Sequence, residues 1–304
     1  MNRAPAESRL IGIVTVLYNS DEVLPDFFSS LAAQSGVRFR LYVIDNSATD
    51  SGAQISRRLA AENGIDSVVV FNNANAGVAR GNNQGIELAL AEGCTHVLLA
   101  NNDTAFEPAT IRKLLDALGD SDLVSTPKIM YHDEPELLWY GGGCINPLTM
   151  RTPHFGMKQR DSGQFDHQTY VGYAPTCFMM IAAEVFGRVG RMDEQFFVYY
   201  DDTDFVWRMA RAGIRIRYVP ESVVLHKVST STGGERSPFT VYYANRNRIY
   251  FIRKNLHGLQ ALAALAYVLL TRIPSALRLP RPVASRLWAG VRDGLRLTTA
   301  PHDH

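Results

Sequence analysis

Three carboxylates stand within four residues of one another, at Asp201, Asp202 and Asp204, directly after the aromatic run Phe196–Tyr200. Like charges this close repel, and the repulsion raises the pKa of one carboxyl toward the range that a general base needs. A positioned carboxylate of this kind takes the proton from a hydroxyl that acts as a nucleophile. The alternative is that acids in a first helical turn complement the helix dipole, which explains Asp201 or Asp202 better than the whole cluster.

A second acidic site follows the apolar segment Leu98–Ala100, where the chain continues Asn101-Asn102-Asp103. Ions such as Mg²⁺ prefer oxygen ligands, and one or two protein carboxylates hold them together with substrate phosphates. Such a cation stabilises the negative charge that develops on a leaving phosphate group. The alternative is a plain turn, because Asn and Asp favour strand ends through hydrogen bonds between their side chains and the backbone.

The elements around these residues alternate between strand and helix patterns in the first part of the chain. Continuous apolar runs predict buried strands at Ile11–Leu17, Phe39–Ile44, Val68–Phe71 and His96–Leu99. Helical spacing predicts helices over 23–31, 54–61 and 82–91, and a further helix with Pro108 at its first position. This βαβ series predicts a mostly parallel sheet with helices on its faces.

Polar clusters follow three of these strands, namely Tyr18-Asn19, Asp45-Asn46 and Asn101-Asn102-Asp103. In parallel sheets, ligands bind outside the carboxyl ends of the strands. If these strands are neighbours, one rim of the sheet therefore collects several polar and acidic groups.

The middle of the chain has a different pattern. Short strands and loops are expected from Leu123 to Met180, then a helix over Asp202–Ala212 and a strand over Ile214–Val219.

The C-terminal segment is basic, with six arginines and a single acid, Asp293, between Leu259 and Thr299. Apolar residues interleaved with arginine suit helices that lie on an anionic membrane surface. The alternative is a helical cap that packs on the domain and turns its basic side to solvent. The longest apolar run there, Leu259–Leu270, is too short for a membrane span and indicates an interfacial or buried helix.

Composition excludes several other classes of protein. A net charge of +1 over 304 residues argues against a protein that binds nucleic acid through the whole molecule. The three cysteines, Cys94, Cys144 and Cys177, are far apart, so they predict neither a disulfide framework nor a cysteine zinc site, and they favour a reducing compartment. The N-terminus has no signal-peptide pattern. We therefore expect a cytoplasmic protein, with peripheral contact at the inner face of the membrane.

The chain carries several motifs in a fixed order, from about Ile11 to Asn255. Together they resemble the motifs of family 2 glycosyltransferases of the GT-A fold, and most of all those of the bacterial rhamnosyltransferase-like group in that family. The segments that carry the resemblance are Val16–Ser20, Val43–Ser47 with Asp50, Asn75–Gly85, Asn101–Asp103, Gly187–Phe205 and Val224–His226 with Ser229. The resemblance implies an α/β fold with a Rossmann-like, mostly parallel sheet, a small antiparallel part on the acceptor side and a C-terminal helical tail. It places the catalytic domain at 1–256, with a nucleotide-sugar half at about 10–122, an acceptor half at 123–256 and the tail at 257–304.

The resemblance also implies roles for individual residues. The residues expected to contact the donor nucleotide sugar are Val16, Tyr18, Asn19, Asp45, Asn46, Asn75, Gly77, Arg80, Asn83 and Asn102. Asp103 and His226 are expected to hold the cation, Asp202 to act as base, and Asp201, Tyr200 and Trp207 to lie on the acceptor side. The alternatives are a packed or hydrogen-bonded His226 and a solvated Arg80.

Two departures from the family pattern matter for these roles. Asn101 stands where a carboxylate is common, which leaves Asp103 as the one charged ligand of the metal motif. Asp201 stands where the family usually has Glu, so the second acid of the pair, Asp202, inherits the role of base, and Asp201 either supports the structure or positions the acceptor.

The resemblance implies an inverting transfer, assisted by Mg²⁺ or Mn²⁺, from a nucleoside-diphosphate sugar to a hydroxyl. The expected donor is dTDP-L-rhamnose or another dTDP- or UDP-hexose, and the expected acceptor is a glycan or a polyprenyl-linked saccharide. Two alternatives remain at this point, a nucleotidyltransferase that makes nucleotide sugars and a non-catalytic carbohydrate-binding relative. A nicotinamide dehydrogenase and a P-loop kinase are excluded, because neither GxGxxG after the first strand nor GxxxxGK[ST] occurs.

Overall fold

The computed structural model describes residues 9–119, 121–228 and 236–299. Four parallel strands form the first half of one large sheet, namely β1 (Leu10–Leu17), β2 (Arg38–Asp45), β3 (Ser67–Phe71) and β4 (His96–Ala100). They lie side by side in the order β3-β2-β1-β4. The carboxyl ends of β1, β2 and β4 are therefore neighbours, which confirms the expected polar rim.

The second half of the sheet is mixed. Its strands are β5 (Thr104–Phe106), β6 (Val124–Tyr131), β7 (Leu138–Tyr140), β8 (Tyr170–Val171), β9 (Phe178–Ala182) and β10 (Ile216–His226). Strand β9 runs antiparallel between β4 and β6, and β10 pairs with β6 in parallel and with β5 in antiparallel orientation. Strand β10 continues seven residues beyond its predicted end at Val219 and thereby carries His226 to the rim.

Nine α-helices cover the sheet and extend beyond it in the described residues. They are α1 (Leu24–Ala32), α2 (Ser51–Glu62), α3 (Val78–Ala91), α4 (Thr110–Asp116), α5 (Ala183–Val189), α6 (Asp201–Arg211), α7 (Pro238–Asn255), α8 (Gly258–Leu277) and α9 (Arg281–Arg296). Helix α3 begins four residues before the predicted Asn82. Pro108 precedes the N-cap Ala109 of α4, so its prediction as the first helical residue is wrong.

Strand β1 is buried on both faces, which explains its uninterrupted apolar sequence. Ile13 and Val14, on opposite faces, are both fully buried. Helix α3 lies unusually close to this strand, because a Cβ atom on Gly85 would stand 2.3 Å from Cγ1 of Val14. The glycines of the Asn75–Gly85 motif therefore let the helix start close above the rim.

Helices α7, α8 and α9 build a second hydrophobic core with Phe196 and Met150. Helix α9 approaches α7 closely, since a Cβ on Gly290 would meet the carbonyl oxygen of Tyr242 at 2.4 Å. The helices of the tail thus pack on a helix that the sequence assigns to the catalytic domain. The domain boundary at 256 stays a prediction.

Helix α8 is longer than the sequence analysis expected. It spans 20 residues, with a mean hydropathy of 1.4 over its most apolar stretch, so it is the one described helix whose length and composition would allow a membrane span. Only 11% of that stretch is buried, and Leu259 and Leu277 are each 84% exposed. The prediction that the apolar run is too short was wrong, because the helix continues past Thr271 and Arg272.

Candidate active site

A cavity of about 560 Å³ opens at the carboxyl ends of β1, β2 and β4. Five residues predicted for the donor or the metal line it, namely Val16, Tyr18, Asn19, Asn102 and Asp103. The remaining lining residues are Ser20, Asp21, Glu22, Val23, Ser47, Thr49, Val78, Asn82 and Asn101. The cavity is therefore a polar cleft placed where a parallel sheet binds its ligands.

Two hydrogen bonds join the strand ends that surround this cavity. The Asn102 side chain donates to the carbonyl of Val16 over 2.7 Å and so ties the loop after β4 to β1. The backbone N–H of Asn19 donates to the Ser47 hydroxyl over 2.9 Å and ties the end of β1 to that of β2. Asn102 thus shapes the cavity wall through its amide group, in addition to facing the space inside.

Asp45 and Asn46 lie under the rim, outside the cavity lining. Asp45 is fully buried, and its carboxylate accepts hydrogen bonds from the backbone N–H groups of Ser47 and Ala53, both at 2.9 Å. Asn46 is also buried and donates to the carbonyl of Gly77 over 3.0 Å. In this structure their polar groups hold the start of α2 and the loop before α3, and contact of these two residues with the donor stays a prediction.

The loop before α3 is held against the segment that precedes α6. Gly77 has a φ of 85°, and a Cβ there would stand 2.5 Å from the ring of Phe197. Asn75 accepts a hydrogen bond from Gly77 N over 3.1 Å, and the N–H of Val78 donates to the carbonyl of Phe197 over 2.6 Å. Gly77 is therefore required by the close contact and by its backbone conformation, and Asn75 stabilises the turn.

The side chains of Asn83 and Arg80 also point toward the segment that precedes α6, and they lie outside the cavity lining. The buried Asn83 side chain donates to the carbonyl of Met192 and accepts from its N–H, both over 2.9 Å. Arg80 is exposed, and its guanidinium lies 4.0 Å from the Glu194 carboxylate. Asn83 thus positions the segment around Met192, and neither residue lines the described cavity, so contact of Asn83 and Arg80 with the donor stays a prediction.

Asp103 and His226 come together at the edge of the cavity, with 3.2 Å between Oδ1 of Asp103 and Nε2 of His226. The sequence separates them by more than a hundred residues, and the antiparallel pairing of β10 with β5 places His226 opposite Thr104. The His226 ring packs edge-on against Trp139, with centroids 4.6 Å apart. Nδ1 of His226 is buried without a hydrogen-bond partner among the described residues.

These two residues fit a divalent cation that shares its coordination with a phosphate ligand. The cavity lining carries three carboxylates, Asp21, Glu22 and Asp103, and within the described part of the chain it carries no Lys or Arg. A diphosphate in this cavity would therefore need a cation to offset its charge. No cluster of three or more His, Cys, Asp or Glu is placed for a metal in the described ranges, so the protein would supply only part of the coordination.

The acid cluster separates into members with different surroundings. Asp204 is fully buried and accepts from Arg208 at 2.9 Å and Lys254 at 3.0 Å, so it serves the packing of α6 on α7. Asp202 is half-buried, and its Oδ2 accepts a 2.5 Å hydrogen bond from the hydroxyl of Tyr173. Its Oδ1 accepts from the N–H and the hydroxyl of Thr203, at 2.6 and 3.1 Å.

Burial raises the pKa of both members of the adjacent pair. Burial and the neighbouring Asp202 carboxylate raise the pKa of Asp201 to about 8. Burial raises the pKa of Asp202 as well, against the hydrogen bonds from Tyr173 and Thr203 that lower it. With a pKa of about 8, Asp201 is mostly protonated near pH 7. We assign the negative charge of the pair to Asp202, because its carboxylate accepts hydrogen bonds from the Tyr173 hydroxyl and from Thr203.

Cys177 shows that Asp103 and Asp202 face the same region. The thiol is buried beneath the site, and the backbone carbonyl of Cys177 accepts a 2.8 Å hydrogen bond from the N–H of Asn101. Burial raises the pKa of this thiol, and the carboxylates of Asp103 and Asp202 raise it further. Both carboxylates thus lie within electrostatic range of one sulfur atom, although 99 positions separate them along the chain.

A chain of aromatic rings connects the two acidic centres. From the His226 side, Trp139 contacts the His154 ring edge-on at 4.5 Å between centroids. His154 stacks on Tyr173 at 5.9 Å, and the Tyr173 hydroxyl reaches Asp202. Burial lowers the pKa of His154 to about 4, so this imidazole is neutral near pH 7. No local spacing in the glycine- and proline-rich segment around Trp139, His154 and Tyr173 indicates a site, so these three residues were not predicted from the sequence.

The segment directly before Asp201 has an unusual backbone. Phe197, Tyr199 and Tyr200 have φ values of 64°, 63° and 65°, a region that bulky residues adopt only under constraint. The side chain of Asn247, fully buried on α7, donates to the carbonyl groups of Phe196 and Val198 at 2.7 Å and of Tyr199 at 2.9 Å. Helix α7 thus holds the conformation that presents Asp202.

Tyr200 and Trp207 differ in their relation to the site. The hydroxyl of Tyr200 donates to the carbonyl of Met150 over 2.8 Å and so joins the segment before α6 to the turn at Met150. Trp207 packs edge-on against Phe251, with centroids 5.7 Å apart, in the second core. Contact of Tyr200 and Trp207 with an acceptor stays a prediction. Ser229, the other residue of the His226 motif, lies outside the described residues.

A protein family and several known proteins are similar to this chain in sequence. A family model described as "Glycosyl transferase family 2" matches residues 12–190. The N-acetylglucosaminyl-diphospho-decaprenol L-rhamnosyltransferase of Mycobacterium tuberculosis is 26% identical over 96% of this chain and 99% of its own length. The dTDP-rhamnosyl transferase RfbF of Shigella flexneri is 26% identical over 60% of this chain and 61% of its own length.

Among solved structures, the mannosyltransferase PcManGT of Pyrobaculum calidifontis, in complex with GDP-Man and Mn²⁺, superposes with a TM-score of 0.59. The superposition covers 95% of this chain and 87% of that structure, at 14% identity, and shows a shared GT-A fold. The family match spans more than half of the 304 residues, and the site has the polar rim and the paired acidic centres described above. The chain therefore belongs to glycosyl transferase family 2.

Proposed function

We propose that this glycosyltransferase moves L-rhamnose from dTDP-L-rhamnose to a hydroxyl of a lipid-linked saccharide, with inversion at the anomeric carbon. The choice of sugar and acceptor is supported by the names of the two relatives, one of which covers nearly the whole chain. The observation that carries the proposal is the contact of Asp103 with His226 and the series of ring contacts that leads from His226 to Tyr173, whose hydroxyl donates to Asp202. Such a pair of centres fits a cation on the donor side and a base on the acceptor side.

On the donor side, Asp103 and His226 would hold Mg²⁺ or Mn²⁺. When bound, the cation offsets the charge that grows on the leaving nucleoside diphosphate. Tyr18, 42% exposed at the mouth of the cavity, offers an apolar ring to the base, and Asn19 and Asn102 offer amide groups to the sugar and ribose hydroxyls. The cavity of about 560 Å³ is large enough for a nucleotide sugar.

On the acceptor side, Asp202 takes the proton from the attacking hydroxyl as the new glycosidic bond forms. The raised pKa makes its carboxylate a better proton acceptor than an ordinary Asp, while the shared proton of the pair stays on Asp201. Tyr173 and Thr203 hold the carboxylate in one orientation. A single displacement from the face opposite the leaving diphosphate inverts the anomeric centre.

We also propose that the enzyme works at the cytoplasmic face of a membrane, where a lipid-linked acceptor resides. Helix α8 supports this, since five of its large apolar side chains are more than half exposed. They are Leu259, Leu262, Leu270, Ile273 and Leu277. An exposed apolar face of this extent on a helix indicates contact with a membrane or a partner surface.

The proposal is tested by transfer from dTDP-L-rhamnose to an N-acetylglucosaminyl-diphospho-lipid in the presence of Mn²⁺. The expected product is a lipid-linked disaccharide whose anomeric configuration, determined by nuclear magnetic resonance, is opposite to that of the donor. A parallel thermal-shift series with dTDP-, UDP- and GDP-sugars identifies the nucleotide, because a ligand that binds only the folded protein stabilises it. Stabilisation by UDP- or GDP-sugars alone would contradict the proposed donor while leaving glycosyl transfer intact.

A further inference from the structure

Three arginines from separate segments meet beside Tyr200. Arg248 on α7 donates a hydrogen bond to the carbonyl of Thr149, and Tyr200 donates to the carbonyl of the next residue, Met150, over 2.8 Å. Arg151 follows directly in the same turn, which a hydrogen bond from Asn146 N to the Arg151 carbonyl closes over 2.8 Å. The turn therefore brings the exposed Arg151 next to Tyr200 and the buried Arg248.

The third arginine comes from α8. Arg272 donates to Oδ1 of Asn245 over 3.0 Å, and Asn245 lies three residues before Arg248 on α7. Residues three apart on a helix share a face, so Arg272 and Arg248 stand on the same side of α7. Arg248 is only 3% exposed, and its guanidinium lies over the Tyr267 ring at 5.9 Å.

The three arginines form a group, hereafter the arginine cluster (Arg151, Arg248 and Arg272), whose positive charge meets no carboxylate partner among the described residues. No ion pair joins any of the three to a carboxylate in the ranges that the structure describes. Burial and the other two arginines lower the pKa of Arg248 to about 10, and burial and Arg151 lower that of Arg272. The Nε atoms of Arg248 and Arg272 are buried without a hydrogen-bond partner among the described residues.

Buried cations of this kind are costly unless an anion compensates them. Two parallel N–H groups of a guanidinium match the oxygens of a phosphate, so an unpaired arginine cluster is suited to a phosphate or diphosphate group. The donor diphosphate has its place elsewhere, because none of the three arginines lines the donor cavity. The cluster therefore fits a second anionic group that is present during the reaction.

The position of the cluster indicates which group this is. Tyr200, which lies within electrostatic range of the three arginines, precedes the base Asp202 by two residues. Arg272 belongs to α8, which also exposes Leu270 and Ile273 by 67% and 52%. One helix thus presents a guanidinium toward the active site and an apolar surface outward.

We propose that the arginine cluster binds the diphosphate of a lipid-linked acceptor, whose lipid chain runs along the exposed apolar side of α8. This inference rests on the proposed function, because it requires a lipid-linked acceptor. It adds the site that recognises the acceptor and explains how the saccharide reaches Asp202, with the diphosphate as the anchor between the lipid and the reacting sugar.

The test is titration of the full chain with farnesyl diphosphate, a short isoprenoid diphosphate, with saturating dTDP and Mn²⁺ in the donor cavity. Arg151→Gln is the first variant, because Arg151 is exposed and its replacement leaves no buried cavity. Arg278→Gln is the matched control, since it removes one positive charge from an exposed position at the end of α8. We expect Arg151→Gln and Arg272→Gln to weaken farnesyl diphosphate about tenfold or more, as loss of a hydrogen bond to a charged group does, and Arg278→Gln to leave its affinity unchanged.

The affinity for dTDP distinguishes failure of this inference from failure of the proposed function. Wild-type protein that binds neither dTDP nor farnesyl diphosphate would contradict the proposed function itself. Wild-type protein that binds dTDP, but binds farnesyl diphosphate no better than farnesol, or equally well in Arg151→Gln, would overturn only the assignment of the arginine cluster.

A membrane phospholipid is the other source of phosphate, and it requires a separate arm. Co-sedimentation with phosphatidylglycerol vesicles measures membrane binding of the same variants. Loss of farnesyl diphosphate binding with vesicle binding retained supports the acceptor site. Loss of vesicle binding alone, with farnesyl diphosphate bound as in the wild type, would assign the cluster to the membrane surface and overturn the proposal.

Discussion

The hydroxyl of Tyr173 donates a 2.5 Å hydrogen bond to Oδ2 of Asp202, and the ring that carries it stacks on His154. The two residues come from different parts of the fold, since Tyr173 follows the short strand β8 and Asp202 lies in the first turn of α6. The hydrogen bond holds one oxygen of the base and lowers the pKa of Asp202 against the effect of burial. Tyr173 is therefore a positioning residue for the proposed base.

Asp202→Asn should lose transfer and keep donor binding. Removal of a general base typically costs about 10²–10⁴-fold in rate, and the amide is too weak a base to take the proton. Separate measurements of the turnover rate and of the affinity for the donor distinguish a loss of transfer from a loss of donor binding. Asp66→Asn is the control, because that carboxylate is 64% exposed and precedes β3, at the end of the sheet opposite the polar rim. Near-normal turnover of Asp202→Asn would refute the assignment of the base.

Tyr173→Phe should move the pH profile of the reaction while leaving the protein folded. The hydrogen bond from Tyr173 lowers the pKa of Asp202, so its removal raises this pKa further. A base with a higher pKa becomes protonated at a higher pH, and the acidic limb of kcat/KM should shift upward. A loss of rate that is the same at every pH, with the acidic limb of kcat/KM at its wild-type position, would indicate that Tyr173 acts only through packing.

Asp103→Ala should abolish the part of donor binding that depends on a cation. Asp103 and His226 lie 3.2 Å apart at the edge of a cavity lined by acids, where a diphosphate needs Mg²⁺ or Mn²⁺. Titration calorimetry with dTDP, with and without Mn²⁺, measures the effect. His226→Gln should weaken the Mn²⁺-dependent affinity by a smaller factor, because a carboxylate remains. Equal affinities of Asp103→Ala and wild type in Mn²⁺ would argue against this site.

Asn247→Ala should destabilise the protein and reduce turnover together. Its side chain serves three carbonyl groups of the constrained segment before Asp201, and an unsatisfied buried group costs about 1–3 kcal/mol. Urea unfolding measures the free energy, and kcat reports the position of the base. Gln260→Ala, which removes an exposed amide side chain from α8, is the matched control and should change stability by less than about 0.5 kcal/mol.

Asp201→Asn should flatten the dependence of stability on pH. In the folded protein the pKa of Asp201 is about 8, against an ordinary value of 3.8, so the folded state retains a proton that the unfolded state has lost. The free energy of unfolding of the wild type should therefore fall as pH rises from about 4 to about 8. The neutral Asn lacks this contribution. Urea titrations at several pH values should therefore show that the free energy of unfolding of Asp201→Asn, relative to that of the wild type, increases with pH. Parallel curves would contradict the raised pKa.

Much of the donor half was predictable because its signals are local. Continuous apolar runs predicted β1 to β4 within a few residues, and the polar residues after them met at one rim because the strands are parallel and adjacent. The close spacing of the acids predicted a raised pKa for one carboxyl of the cluster, and the pKa of Asp201 is raised, first by burial and then by the Asp202 carboxylate.

Tertiary structure decided which of these polar residues line the cavity. Asp45 and Asn46 occupy a strand end as expected, yet the backbone of α2 and of the loop before α3 uses their polar groups. Asn83 likewise serves Met192, more than a hundred residues later. The type of a residue and its position in a motif do not determine whether its side chain forms hydrogen bonds with the protein backbone or remains available to a ligand.

The amino-acid sequence determined the order of strands and helices, the polar ends of the strands and the presence of two separate acidic centres. Only the tertiary structure joined these centres, through the aromatic rings between His226 and Asp202, and assembled the arginine cluster from three distant segments. The physical reason is that backbone propensity and apolar periodicity act over a few residues. The contacts of Tyr173 and Arg272 arise from strand pairing and helix packing across the whole chain.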